Sequence, residues 1–192
     1  ATGDLALGPV QPTVLKRGQL GLVAPHRLGS QPGSALPGHL HLEPTREMLL
    51  HPAAVLGLGD GGAHVGFICD GSTPTWMLTH WTRDRSRGEL LPLELVVRRQ
   101  TADTAALYGL GDRGRIAPGL LADLNVIDHA GLRLGPPRVA HDLPAGGRRM
   151  LQDVDGYLAT VKSGTVTRSG GERTGAVPGR LVRGPRTQEA AA

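Results

Sequence analysis

Apolar positions recur at helical spacing through the middle of the chain and alternate toward its end. "EPTREMLLHP" (43–52) reads as a short helix. Pro44 suits the first turn and Pro52 stops it, so the helix should end near Leu50. "AAVLGLG" (53–59) follows as a short apolar run between Pro52 and glycines. It predicts a strand buried on both faces, as in a parallel sheet. In "STPTWMLTHWTRDR" (72–85), Trp76, Met77, His80 and Trp81 fall at helical spacing. Ser72 or Thr73 is the expected cap and Pro74 the first helical position. "LPLELVVRRQ" (91–100) predicts an amphipathic helix. "TADTAALYGLGDRG" (101–114) predicts another, capped by Thr101 and stopped by Gly109.

The texture changes near 112–116. "GRIAPGLLADLNVID" (114–128) carries a Pro-Gly turn and an alternating strand from Ala122 to Asp128. "GYLATVKSGTVTR" (156–168) predicts a hairpin turning at Ser163-Gly164. Residues 1–40 show no period, and their seven Gly and five Pro make a loose, poorly ordered arm the expectation. The predicted organisation is an arm over 1–42, an α/β part over 43–113, a β part over 114–184 and a tail over 185–192.

Composition narrows the class. The 192 residues are 39% hydrophobic and 20% charged, a globular balance. A whole (β/α)₈ barrel needs about 250 residues, more than this chain supplies. Aromatic residues are 3%, so large core anchors are scarce. The net charge is +4, but Lys and Arg are scattered and no aromatics interleave with them. That arrangement predicts solvated surface and no nucleic-acid partner. Cys69 is the single cysteine, which excludes an internal disulfide and suits a reducing, cytoplasmic setting. No apolar run approaches the length of a membrane span, and no signal-peptide pattern opens the sequence.

The candidate chemistry lies in "HPAAVLGLGDGGAHVG" (51–66). Asp60 ends an apolar run, Gly61 and Gly62 let backbone approach a ligand closely, and His64 follows four positions on. At the carboxyl end of a barrel strand such an aspartate would be catalytic. An Asp-Gly pair is also an ordinary turn, and spacing alone leaves both readings open. Cys69 reads as a small buried hydrophobe, and Asp70 as a cap for the next helix. His51 and His80 read as packing or surface residues, and His129 and His141 fall in the β part.

The longer string "EMLLHPAAVLGLGDGGAHVGFICDGSTPTWMLTHWTRDR" resembles the N-acyl-D-amino-acid deacylases of the amidohydrolase superfamily. The resemblance continues through "LPLELVVRRQTADTAALYGLGDRGRIAPGLLADLNVID" and "HDLPAGGRRMLQDVDGYLATVKSGTVTRSGGERTGAVPGRLVRG". It spans about residues 43–184, and "GDGGAHVG" and "RGRIAPGLLADLNVID" are its most specific parts. It implies an α/β fold: the C-terminal fragment of a metal-dependent TIM barrel with part of a small β-sandwich. It implies a zinc-dependent hydrolase of carbon–nitrogen amide bonds, acting on N-acylated amino acids, typically of D configuration. Asp60 matches the aspartate after the eighth barrel strand, which contacts the metal-bound water and shuttles its proton to the leaving amine. His64, Gly61 and Gly62 then fall at the substrate, with His64 orienting or polarising it or making only a loop hydrogen bond.

The sequence departs from that family upstream: the later histidine ligands, the lysine or cysteine that binds metal, and barrel strands one to seven have no counterpart. An H-x-H metal pair belongs near the first barrel strand, yet "HLH" (39–41) stands just before the last one. The arm carrying it does not resemble the family segment expected there. Apart from contact by Asp60, the sequence therefore predicts no metal ligand, no zinc and no activity for this chain alone. A non-catalytic fragment or interaction module is the alternative. Another cyclic amidohydrolase would share Asp60 but lack the "GGAHVGFICDGS" context.

Overall fold

The computed structural model describes residues 42–57 and 70–185. Helix α1 spans Glu43–Leu50 and opens with the Arg46 amide donating to the Leu42 carbonyl at 2.9 Å. Pro44 sits in its first turn, where a missing N–H costs nothing. A 3₁₀ turn over Asp70–Ser72 leads into α2, Thr73–Thr79, as the tryptophan-rich period predicts. The helical run then widens over His80–Asp84, where the Arg85 amide reaches back five residues to the His80 carbonyl at 3.0 Å. Helix α3 covers Leu93–Gln100 and α4 covers Ala102–Leu107. Gly109, at φ +66°, ends the helical half in the left-handed conformation that glycine adopts without a Cβ penalty.

The expected caps act differently. Ser72 does not cap α2 through its side chain; its hydroxyl donates to Gln152 Oε1 at 2.6 Å. Thr101 does not cap α4 either, because its hydroxyl donates back to the Val97 carbonyl at 2.8 Å. Asp70 opens the 3₁₀ turn, and any capping by its side chain lies outside what is described.

Strands follow the helices in chain order. Strand β1, Leu124–Ile127, pairs antiparallel with β4, Tyr157–Lys162. Strand β4 pairs with β5, Thr165–Ser169, and β5 with the short β6, Glu172–Arg173. The β4–β5 hairpin turns at Ser163 (φ 51°) and Gly164 (φ 78°), the pair of positive φ values that a tight two-residue turn demands. Strands β2, Arg133–Ala140, and β3, Arg149–Asp155, form a separate antiparallel pair that the sequence pattern does not reveal.

The strand predicted over 53–59 is not observed in its described part. Residues 53–57 form a turn and then irregular backbone, with the Ala54 amide donating to the His51 carbonyl at 3.0 Å. No described strand lies beside them. Within the described part of the run, the Ala54 carbonyl is taken by the Arg99 guanidinium.

One buried cluster joins the helical and sheet parts. Leu49, Met77, Leu78, Trp81, Leu91, Val96 and Leu132 form it, with Ile127 of β1 and Tyr157 of β4 packed against it. Trp81 and Leu132 are fully enclosed. Truncating a core tryptophan typically costs about 3–5 kcal/mol. Salt bridges tie down the rim: Glu43 pairs with Arg85, and Arg46 with Glu89. Asp123 receives both Lys162 at 2.9 Å and Arg113 at 3.2 Å, joining the end of the helical part to the sheet.

Candidate active site

Asp60, Gly61, Gly62 and His64 lie outside the described residues, as do Cys69, His39 and His41. The chain on either side of the Asp60 segment is described, and both flanks are held. On the upstream side, α3 supplies Arg99. Three residues after Val96 on the same helical face, it is carried into the core and is buried. Its guanidinium donates to the Ala54 carbonyl at 2.6 Å and the His51 carbonyl at 3.0 Å. Asp103 lies 3.6 Å from Nη1 and offsets part of the cost of burying the charge. A rigid planar fork with several donors holds two carbonyls at fixed spacing, whereas a lysine offers one flexible ammonium point charge.

On the downstream side, Ser72 bonds Gln152 of β3, and the Thr75 hydroxyl lies 2.9 Å from the Tyr157 hydroxyl of β4. Burial pushes the Tyr157 phenol up in pKa, while the Thr75 hydrogen bond opposes that rise. The chain thus leaves the described structure at an Arg99 clamp and re-enters it at a helix pinned to the sheets.

The described histidines divide by environment. His51 is exposed, and its Nδ1 accepts from the Ala53 amide at 3.2 Å, a local turn contact. His129 Nε2 lies 2.9 Å from the Thr82 hydroxyl and 3.1 Å from the Leu78 carbonyl. His129 thereby fastens the β1–β2 link to the helix. His141 is exposed. His80 lies flat on Trp76, with ring centroids 4.5 Å apart and planes within 7°. Burial, then the Arg85 charge, hold its pKa below the usual histidine value. Sequence reasoning left His80 as a packing or surface residue and did not foresee this stack. It also missed Arg99, although a cation three positions after Val96 on an amphipathic helix is a visible signal.

A metal centre needs three or more converging ligands. Among the described residues, no group of three His, Cys, Asp or Glu could hold a metal ion. No described helix is long and apolar enough to cross a membrane.

Comparison with known proteins places the sequence. A family model described as "Amidohydrolase family" matches residues 11–168. The match begins at residue 11, inside the Gly/Pro-rich arm, ahead of the resemblance read from residue 43 onward. Searches of curated proteins and of solved structures returned no match. With most of its length matched, the chain belongs to the amidohydrolase family.

Proposed function

We propose that the chain is the Asp60-bearing part of a hydrolase that cleaves the amide bond of N-acyl-D-amino acids. The observation that carries this reading is the family match, which encloses "HPAAVLGLGDGGAHVG". The clamped flanks support it, since a reacting group must be held to a fraction of an ångström. In this reading the helical part belongs to a barrel and the strands to a small sandwich beside it.

The chemistry asked of Asp60 is proton transfer. Its carboxylate takes a proton from the water attacking the amide carbon. It returns that proton to the amine nitrogen as the carbon–nitrogen bond breaks. Such general acid–base help is worth about 10²–10⁴-fold. Gly61 and Gly62 leave room for the acyl amino acid against the backbone, and His64 orients it. The family implies zinc, but the described residues gather no ligand set for it, and no step here runs through a metal.

The test joins this chain behind the upstream segment of an amidohydrolase deacylase that lacks its own C-terminal part. Release of free amine from N-acyl-D-amino acids, with the L enantiomers largely spared, is the expected result. A folded, metal-loaded fusion that releases no amine, or hydrolyses both enantiomers equally, contradicts the proposal.

A further inference from the structure

A cavity of about 310 Å³ lies between the widened end of the α2 run and the start of β2. Trp76 and His80 form one wall as a flat, stacked pair, and Leu134 contributes an apolar surface. Arg83, Asp84 and Arg133 supply the charge. The volume sits at the lower end of the range for small-molecule sites, about 300–1,000 Å³. The widening of the helix at His80–Asp84 belongs to a class of irregularity often found at functional sites.

The charges are unequally committed. Arg83 and Asp84 pair through two parallel hydrogen bonds, Nε to Oδ1 at 2.6 Å and Nη2 to Oδ2 at 2.9 Å. Arg83 also donates to the carbonyls of His129, Ala130 and Leu132, so its donors are spent on the fold. Those two charges cancel. His80 is held toward its neutral form by burial and by Arg85, and its Nε2 has no partner among the described residues. It offers a flat wall and no charge. Arg133 is exposed, and its guanidinium makes no ion pair or hydrogen bond among the described residues. Asp155 faces it across the β2–β3 ladder without forming a salt bridge. Among the lining residues, Arg133 is thus the one cation not committed to an ion pair, and it stands beside the Trp76–His80 surface, with Asp155 its cross-strand neighbour outside the lining.

We propose that this cavity binds a small organic monoanion whose body is flat or apolar, with its carboxylate on Arg133 and its body against Trp76 and Leu134. The site shares no residue with the Asp60 segment and stands whether or not the chain takes part in amide hydrolysis. A doubly charged anion such as inorganic phosphate fits less well, since only one lining cation is uncommitted and the lining also holds Trp76, His80 and Leu134. A cation is disfavoured because Asp84 is already paired.

The chain reports on its own site. Its only tryptophans are Trp76 and Trp81, and Trp81 meets Trp76 edge-on at 6.1 Å. The experiment titrates the intact chain with 4-phenylbutyrate and with the neutral 4-phenylbutyramide at low salt. Binding is followed by tryptophan fluorescence and by calorimetry. The expected result is saturable binding of the anion, with the amide weaker by about fivefold or more, the order of one charge-assisted hydrogen bond. Arg133→Gln should bring the anion down to the level of the amide and leave the amide unchanged. Trp76→Leu should weaken both. Arg133 is exposed, so its replacement leaves the core intact; circular dichroism confirms folding of each variant. Absence of saturable binding by both methods overturns the proposal. So does equal affinity for anion and amide, or an Arg133→Gln variant that binds the anion like its parent.

Discussion

Arg99 shows how one side chain redirects a segment. The apolar run after Pro52 has the composition of a buried strand, and a strand's carbonyls seek neighbouring N–H groups. At Ala54 the Arg99 guanidinium supplies that donor, and it also binds the His51 carbonyl just ahead of the run, where the backbone turns. Hydrogen bonds to a charged group contribute about 1.5–3 kcal/mol. Arg99→Met should lower stability by about that order, since it also leaves the Ala54 carbonyl without its donor, while the His51 carbonyl keeps the Ala54 amide. Arg99→Lys should recover only part of the loss, having no fork to divide between them. Urea unfolding curves of the three proteins test this, and a methionine variant with an unchanged midpoint would contradict the clamp. His80 gives a second residue-scale prediction. Its folded pKa is lowered from 6.5, so the unfolded chain takes up the proton first as pH falls. The unfolded state then binds more protons, and stability falls with falling pH. The loss should begin as pH drops through about 6.5 and level off below the folded pKa. His80→Leu should remove that part of the slope. Thermal melts of both proteins from about pH 8 to about pH 5 isolate it as a difference; parallel curves would contradict the assignment.

At the scale of elements, legibility followed local chemistry. The Ser163-Gly164 turn could be read because two adjacent positive φ values call for residues of that kind. Helix α1 and the α2 run could be read because proline, apolar spacing and a stop agree. Strand β2 could not. "RLGPPRVA" contains Gly135, Pro136 and Pro137, which argue against a strand. The structure tolerates them because β2 pairs on one side only and its register shifts between Leu134 and Pro137. The widening at His80–Asp84 was equally hidden, being a choice of backbone partner that no residue pattern announces. Gly156 marks a close approach between elements. At φ +97°, a Cβ there would sit 2.7 Å from Leu132 Cα and 2.9 Å from its backbone nitrogen. Gly156→Ala must shift backbone beside a core leucine and carry left-handed strain of about 1–2 kcal/mol. A drop in melting temperature well beyond that of an alanine placed at the open, exposed Gly179 is the expected outcome.

At the scale of the whole molecule, Leu132 on the sheet side and Trp81 on the helical side share one core, so the change of texture near 112–116 marks a change of element type within a packed unit. Family membership was legible from "GDGGAHVG" and "RGRIAPGLLADLNVID", and the family match bears that coarser reading out. Asp60, the centre of the functional reading, lies outside the described residues, so its role is a matter for chemistry. The most direct measurement is turnover of Asp60→Asn, made in the fusion proposed above, with zinc content determined on the same samples. Asparagine keeps the size and hydrogen-bonding reach of aspartate but cannot carry the proton. The account predicts near-parental zinc and a fall in turnover of at least about 10²-fold, the lower end of what a positioned general acid–base contributes. An asparagine variant that turns over like its parent would make Asp60 a turn residue and contradict the account.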